Sequence, residues 1–276
     1  MKPIPTRPGW AGRELSAPFD ALAATYDASF TTTPLGTLLR EAVWRRLDAR
    51  FAPGDRVLEL ACGTGEDAIH LAGRGVRVVA MDASAEMVET ARRKARATGL
   101  DGSIEVRHMS AEDLAAGEAL PGPFDGAFSD FGGLNCVADL GAVSRALAGR
   151  LRPRAPLLLC VMGPLVPWEW AWYLGHGEPA KAFRRLRPGG VPWRGLTVRY
   201  PSIHTLRRAF APDFRTLRTS AVGALLPPTY AEEWTRRHPR LLAGLARWER
   251  RLERVPPLPW LADHYLIELE RRASGA

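Results

Sequence analysis

The chain is poor in lysine. Only Lys2, Lys94 and Lys181 occur among its 38 basic residues, so almost all of the positive charge is arginine. The formal net charge of +8 fits a nucleic-acid or acidic partner. The arginines, however, are scattered through helical segments and never form a block, which predicts a solvated, arginine-biased surface. Cysteine is also scarce. Cys62, Cys136 and Cys160 lie far apart, which excludes metal-ligand spacing and a disulfide framework. Cys160 is expected to be a small buried hydrophobe. No run of 18 apolar residues exists, which argues against a membrane-spanning helix. The opening MKPIPTRPGW lacks the apolar stretch of a signal peptide, and a cytoplasmic location is expected. Internal repeats and low-complexity segments are missing too. What remains is an ordinary globular composition, 46% hydrophobic and 25% charged over 276 residues, enough for one large core with a modest lid.

Hydrophobic periodicity divides the chain. Residues 1–16 form a proline-rich lead-in. Helices are expected over about 18–28 and 35–51, the second from Leu35, Leu38, Leu39, Ala42, Val43 and Leu47. Pro53-Gly54-Asp55 stops it. Strand and helix then alternate. Strands are expected at 56–61, 76–82, 104–109, 125–130 and 156–162. Helices are expected at 66–72, from the Ser84 N-cap to Ala97, and from Asp139 to Leu151. Such alternation predicts a parallel sheet covered on both faces.

Composition changes after Gly163. Trp168, Trp170, Trp172, Tyr173, Phe183 and Trp193 crowd together. The tryptophans at 168–172 read as a strand by their spacing of two and as a helix by context; they serve either as core or as the wall of an apolar pocket. Arg184, Arg185 and Arg187 read as a solvated face, with anion holding as the alternative. A short strand is expected at 196–200, and a last pair at 216–223 and 264–271. Two helices fill 228–259, the second with Leu241, Leu242, Leu245, Trp248 and Leu252 on one face. The expected fold is therefore α/β: a Rossmann-like, seven-stranded, mostly parallel sheet with helices on both faces and a C-terminal helical lid insertion. Residues 1–55 are an N-terminal helical cap, 56–162 the ligand-binding core, and 163–276 the lid and final strands completing the same domain.

The most informative segment is VLELACGTGEDA at 57–68. A strand enters a turn of small residues that opens a helix, so a ligand can approach the backbone and meet free N–H groups. Glu59 lies within the strand, and Asp82 ends the next one. A carboxylate there can accept both hydroxyls of an adenosyl ribose, at about 1.5–3 kcal/mol for each charge-assisted bond. Gly63 to Ala68 also matches the G-x-G-x-x-A of dinucleotide folds. Glu59, Glu66 and Asp67 oppose that reading, because negative charge repels a pyrophosphate. They suit a ligand carrying a sulfonium and an ammonium.

ELACGTG (59–65) followed by VVAMDASAEMVETARRKA (78–95) resembles motif I and the next segment of class I S-adenosylmethionine (SAM) dependent methyltransferases. The resemblance covers roughly 19–162. It implies that Glu59, Ala61, Cys62, Gly63 and Gly65 wrap the methionine part of SAM. Asp82 would hold the ribose, and Ala83 and Met87 would line the adenine. HMSAEDL (108–114) matches the adenine-side segment, with Ser110 where the family commonly has Asp, followed by Ala111 and Glu112. SDFGGLN (129–135) matches the end of the fourth strand, where backbone of Ser129 meets methionine. PFDALAATYD (18–27) resembles a helix that closes over the cofactor, bringing Tyr26 to the sulfonium or leaving it as core.

The implied activity is methyl transfer from S-adenosyl-L-methionine to a small, apolar or aromatic molecule, giving S-adenosylhomocysteine (SAH). Alignment supplies much of that rate, and a base is needed only where the acceptor must lose a proton. Tyr26, Asp130, Asn135, His176 and His204 are the candidate catalytic side chains; His70 and His108 read as structural. Alternatives are an RNA methyltransferase, a SAM-fold enzyme of another reaction, an NAD-dependent oxidoreductase and a non-catalytic binding protein. No N-P-P-Y-type segment or P-C cysteine supports nucleic-acid chemistry.

Overall fold

The structure is a computed structural model that describes residues 18–273. The lead-in expected at 1–16 lies outside them. The expected first helix is broken. Helix α1 (Ala23–Tyr26) runs into a π-helical turn at Asp27–Thr31. Helix α2 (Pro34–Leu47) follows, with the Thr33 side chain accepting from the Gly36 amide and Pro34 at its first position. It ends at Leu47, short of the expected 51.

The Rossmann-like part then unfolds in order: β1 (Arg56–Leu60), α3 (Glu66–Ala72), β2 (Arg77–Asp82), α4 (Ala85–Ala97), β3 (Ile104–His108), α5 (Ala111–Ala115), β4 (Gly126–Ser129), α6 (Leu140–Ala148) and β5 (Pro156–Met162). After it come α7 (Pro167–Gly175), α8 (Pro179–Ala182), a hairpin of β6 (Val191–Trp193) and β7 (Leu196–Val198), and α9 (Ile203–Phe210). The chain closes with β8 (Phe214–Val222), α10 (Glu232–Arg237), α11 (Pro239–Leu252) and β9 (His264–Arg271).

Seven strands form one sheet in the order β3-β2-β1-β4-β5-β9-β8. The pairs among β1 to β5 are parallel, and β9 runs antiparallel to both β5 and β8. The strands bear apolar residues on both sides because both sides are covered. On one face Val57, Val78, Ala80, Phe128, Leu158 and Leu266 pack with α2, α3 and α4. On the other, Leu58, Val79, Met81, Leu157, Leu159 and Ile267 pack with α5, α6 and α9. The short strand expected at 196–200 is β7, but it pairs only with β6 and stays outside the main sheet. Among the described residues no helix is long and apolar enough to cross a membrane.

One open reading is decided and three expectations change. The tryptophans of 168–172 lie on helix α7, which buries Glu169 instead; Trp168 is exposed. Glu169 pairs with Arg184 at 3.1 Å and Arg185 at 2.7 Å, so those arginines are held in ion pairs and do not form a free solvated face. On α11, Leu241 and Trp248 are exposed, and the packed stripe is Leu242, Leu245 and Ala246 against α2. The arginine surface is also less solvated than scatter implied, since Arg40, Arg46 and Arg185 are buried and paired.

Candidate active site

The glycine loop between β1 and α3 is built by backbone conformations that few side chains accept. Gly63 and Gly65 have φ of 53° and 78°. A Cβ on Gly65 would stand 2.8 Å from the Cβ of Ala91 on α4, so only hydrogen fits. A Cβ on Gly63 would meet nothing within 4 Å, which leaves the loop's outer side open. Asp82, at the end of β2, accepts the Gly63 amide through one carboxylate oxygen and the Ser84 amide through the other, both at 2.8 Å. Burial raises its carboxyl, and these two amides oppose the rise.

The segment before α2 is strapped over this loop. Thr64 donates its hydroxyl to Asp27 at 2.6 Å, and Lys94 bridges Asp27 and Glu66 at 2.7 Å each. The Ser84 hydroxyl, which caps α4 through the Met87 amide, donates to Asp20. Phe19 packs on Trp193 of the β6–β7 hairpin, ring centroids 5.3 Å apart.

Beneath the loop lies a carboxylate-rich floor. Arg40 reaches from α2 to Asp67 on α3, and the Trp44 indole donates to the same carboxylate at 2.6 Å. Glu59 and Asp130 complete the cluster. Both are buried, yet Glu59 Oε2 and both Asp130 oxygens lack a hydrogen-bond partner. Burial, with Asp67 adding repulsion, pushes both carboxyls well above the usual range, while Arg40 pulls the other way. Three acids around one guanidinium form a site short of positive charge.

Along the carboxyl ends of the strands runs a row of rings. Tyr26 and Phe30 are 5.9 Å apart, Phe30 and Phe131 5.1 Å, Phe131 and His264 5.6 Å. Burial pushes the Tyr26 hydroxyl up to about 12, against the pull of Arg40. Phe131 itself has φ of 46°, a region costly for a bulky residue. Sequence alone assigns His264 no role. Its position at the start of an antiparallel strand brings it to this edge, which only the strand order reveals.

The structure therefore gathers Tyr26, Glu59, Ala61, Cys62, Gly63, Gly65, Asp82 and Asp130 around one region. Met87 and Ser129 are buried beside it, and the Ala83 carbonyl contacts His108 at 2.8 Å. Other candidates are spent elsewhere. The Ser110 hydroxyl and amide form a capping box with Asp113, so this side chain serves its own helix α5, where Ala111 is half-buried and Glu112 exposed. Asn135 is fully buried. Its amide donates to the carbonyls of Met162 (3.1 Å) and Arg199 (2.5 Å) and accepts the Met162 amide (3.0 Å), which corrects its reading as a catalytic group. His176 is exposed, stacked on Trp172 at the end of α7, with Nδ1 on the Trp172 carbonyl at 2.7 Å. His204 lies on the exposed face of α9.

Residues 57–154 match the family model of the methyltransferase domain. The chain is 32% identical over 181 residues to the tRNA 5-carboxymethoxyuridine methyltransferase of Escherichia coli (strain K12), covering 62% of this chain and 68% of that one. It is 34% identical over 158 residues to the demethylmenaquinone methyltransferase of Clavibacter sepedonicus, covering 56% of this chain and 60% of that one. Among solved structures, the [4+2]-cyclase SpnF superposes with a TM-score of 0.64 over all of both chains at 17% identity. The DhpI–SAH complex gives 0.58 at 21% identity, over 95% of this chain and 97% of that one. The chain belongs to the class I SAM-dependent methyltransferases.

Proposed function

We propose that the protein methylates a small apolar or aromatic molecule lying against the Tyr26–Phe30–Phe131 row. The observation that carries this reading is the pairing of a positive-charge-deficient floor, Glu59 and Asp130, with an aromatic edge above it. In this reading Glu59, Ala61, Cys62, Gly63 and Gly65 receive the methionine part of SAM and Asp82 the ribose. Ala83 and Met87 line the adenine, with backbone at Ser110, Ala111, Glu112 and Ser129 closing the cavity. The sulfonium and ammonium offset the orphaned carboxylates. The family fold around 56–162 forms one domain with the cap before it and the lid and last strands after it. The relative named for demethylmenaquinone supports an apolar aromatic acceptor.

The second reading is an RNA acceptor, favoured by the relative named for a tRNA uridine and by the net charge of +8. The three free cysteines support a reducing, cytoplasmic setting. The test is calorimetric titration with SAM, SAH and NAD in parallel, then methyl transfer from labelled SAM to hydroxyarenes, hydroquinones and tRNA that carries 5-carboxymethoxyuridine. Binding of SAM and SAH with transfer to the small acceptors is expected. Transfer confined to tRNA would replace the first reading with the second.

A further inference from the structure

We infer that the outer face of α11 docks on an anionic lipid surface. The face lies outside the residues assigned to cofactor and acceptor. Helix α11 belongs to the insertion that leaves the sheet after Val222 and returns at His264, and those two residues are paired neighbours at the carboxyl edge. Its inward side is occupied. Leu242, Leu245 and Ala246 pack against α2, and Glu249 accepts the Gly223, Ala224 and Leu225 amides. Glu253, just beyond the helix, pairs with Arg46 at 2.6 Å. Both acids of 239–255 are therefore buried. Every base of that stretch, Arg240, Arg247, Arg250, Arg251 and Arg254, is exposed. Arg240, Arg247 and Arg250 have no acid partner among the described residues.

The same side exposes apolar groups. Leu241 and Trp248 are 49% and 54% exposed and, two helical turns apart, share one line along the helix; Val255, 47% exposed, continues the spacing. Arg240, Arg247 and Arg251 fall on the adjoining line, and Arg251 lies over the Trp248 ring, 5.6 Å from its centroid. This arrangement fits the boundary of a bilayer. An indole and aliphatic chains enter beneath the headgroups there, and guanidinium groups reach the lipid phosphates. A nucleic acid would pair the arginines but leave Leu241 and Val255 in water. A second copy of this face would set like charges against each other.

The probe is a vesicle of phosphatidylcholine, alone or with about one third phosphatidylglycerol, sedimented with the full chain. Wild-type partition onto the anionic vesicles is expected to exceed that onto the neutral ones by roughly tenfold or more, and to fall with salt. Leu241→Ser combined with Trp248→Ser should cut the anionic partition by about tenfold. Arg240→Gln combined with Arg247→Gln and Arg251→Gln should cut it by about as much. SAH affinity and melting temperature stay at wild-type values in both variants, which separates docking from folding. No wild-type partition, equal partition onto both kinds of vesicle, or undiminished partition of either variant overturns the inference. So does a dimer or a tRNA complex that these substitutions abolish while vesicles go unbound, which would give the face to that partner instead.

Discussion

Asp82 holds the Gly63 amide at 2.8 Å, so the carboxylate assigned to the ribose also fastens the loop assigned to methionine. One side chain thus shapes two parts of the site. Asp82→Asn keeps the size but removes the charge that both amides and ribose hydroxyls would use. SAH affinity should fall about 10- to 100-fold, the equivalent of one charge-assisted bond, while the fold persists. Calorimetric titration beside a thermal melt reads both. Unchanged affinity would displace the ribose from Asp82.

Ala61 and Gly133 are coupled in a similar way. Ala61 has φ of 56°, in the left-handed region that favours glycine, and a Cβ on Gly133 would stand 2.2 Å from the Ala61 Cβ. The side chain at 61 is tolerated because none exists at 133. Ala61→Gly should stabilise the protein by about 0.5–1 kcal/mol, since relief of left-handed strain outweighs the added freedom of the unfolded chain. Gly133→Ala alone should destabilise it, and combination with Ala61→Gly should recover most of the loss. Urea denaturation of the cycle measures this; strictly additive effects would contradict the contact.

The seven sheet strands and the glycine loop were legible because their signals are local. An apolar run, a small-residue turn and an N-cap need no distant partner. What escaped was set by contacts across the chain. Asn135 closes the SDFGGLN segment after β4, but its amide is claimed by Met162 and Arg199, 27 and 64 residues away. Glu169 hides inside a tryptophan-rich helix because Arg184 and Arg185 come back to meet it. His264 reaches the site edge only because β9 inserts antiparallel between β5 and β8. On α11, periodicity put Leu241 and Trp248 on one face with Leu242, Leu245 and Leu252, whereas the helix buries Leu242 and Glu249. Glu249 accepts the Gly223 and Ala224 amides at 2.7 and 2.9 Å and the Leu225 amide at 2.6 Å.

Asn135→Ala separates structure from chemistry. Removal of its amide strands the Met162 amide and two carbonyls in a buried place. The loss should be roughly 2–4 kcal/mol of stability, about 1 kcal/mol or more for each broken bond. Denaturant titration measures it. A direct catalytic role would instead leave stability intact and lower turnover alone.

Glu249→Gln tests the clasp between α11 and the end of β8. Three amides lose a charged acceptor, and one meets an NH2 group in its place. Hydrogen exchange at 223–225 should quicken at least tenfold, with a lower melting temperature. Unchanged exchange there would mean that apolar packing of Leu242 and Ala246 on α2 holds the helix unaided.

The orphaned pair Glu59 and Asp130 makes a prediction about protons. Burial and mutual proximity to Asp67 raise both carboxyls in the folded protein, so the native state keeps protons that the unfolded chain has released. Their contribution to stability is therefore most favourable at or below the ordinary carboxylate range. It declines as pH rises from that range through the raised values. A cation placed over the floor favours the ionised forms and expels those protons. SAM binding should accordingly release protons and tighten with pH across the same window. Calorimetry in two buffers of different ionisation enthalpy measures the release, and Glu59→Gln with Asp130→Asn should abolish it. The same double variant should flatten the fall in cofactor-free stability with pH. Proton uptake on binding, or a release untouched by the double variant, would show that the cofactor's charge is neutralised elsewhere.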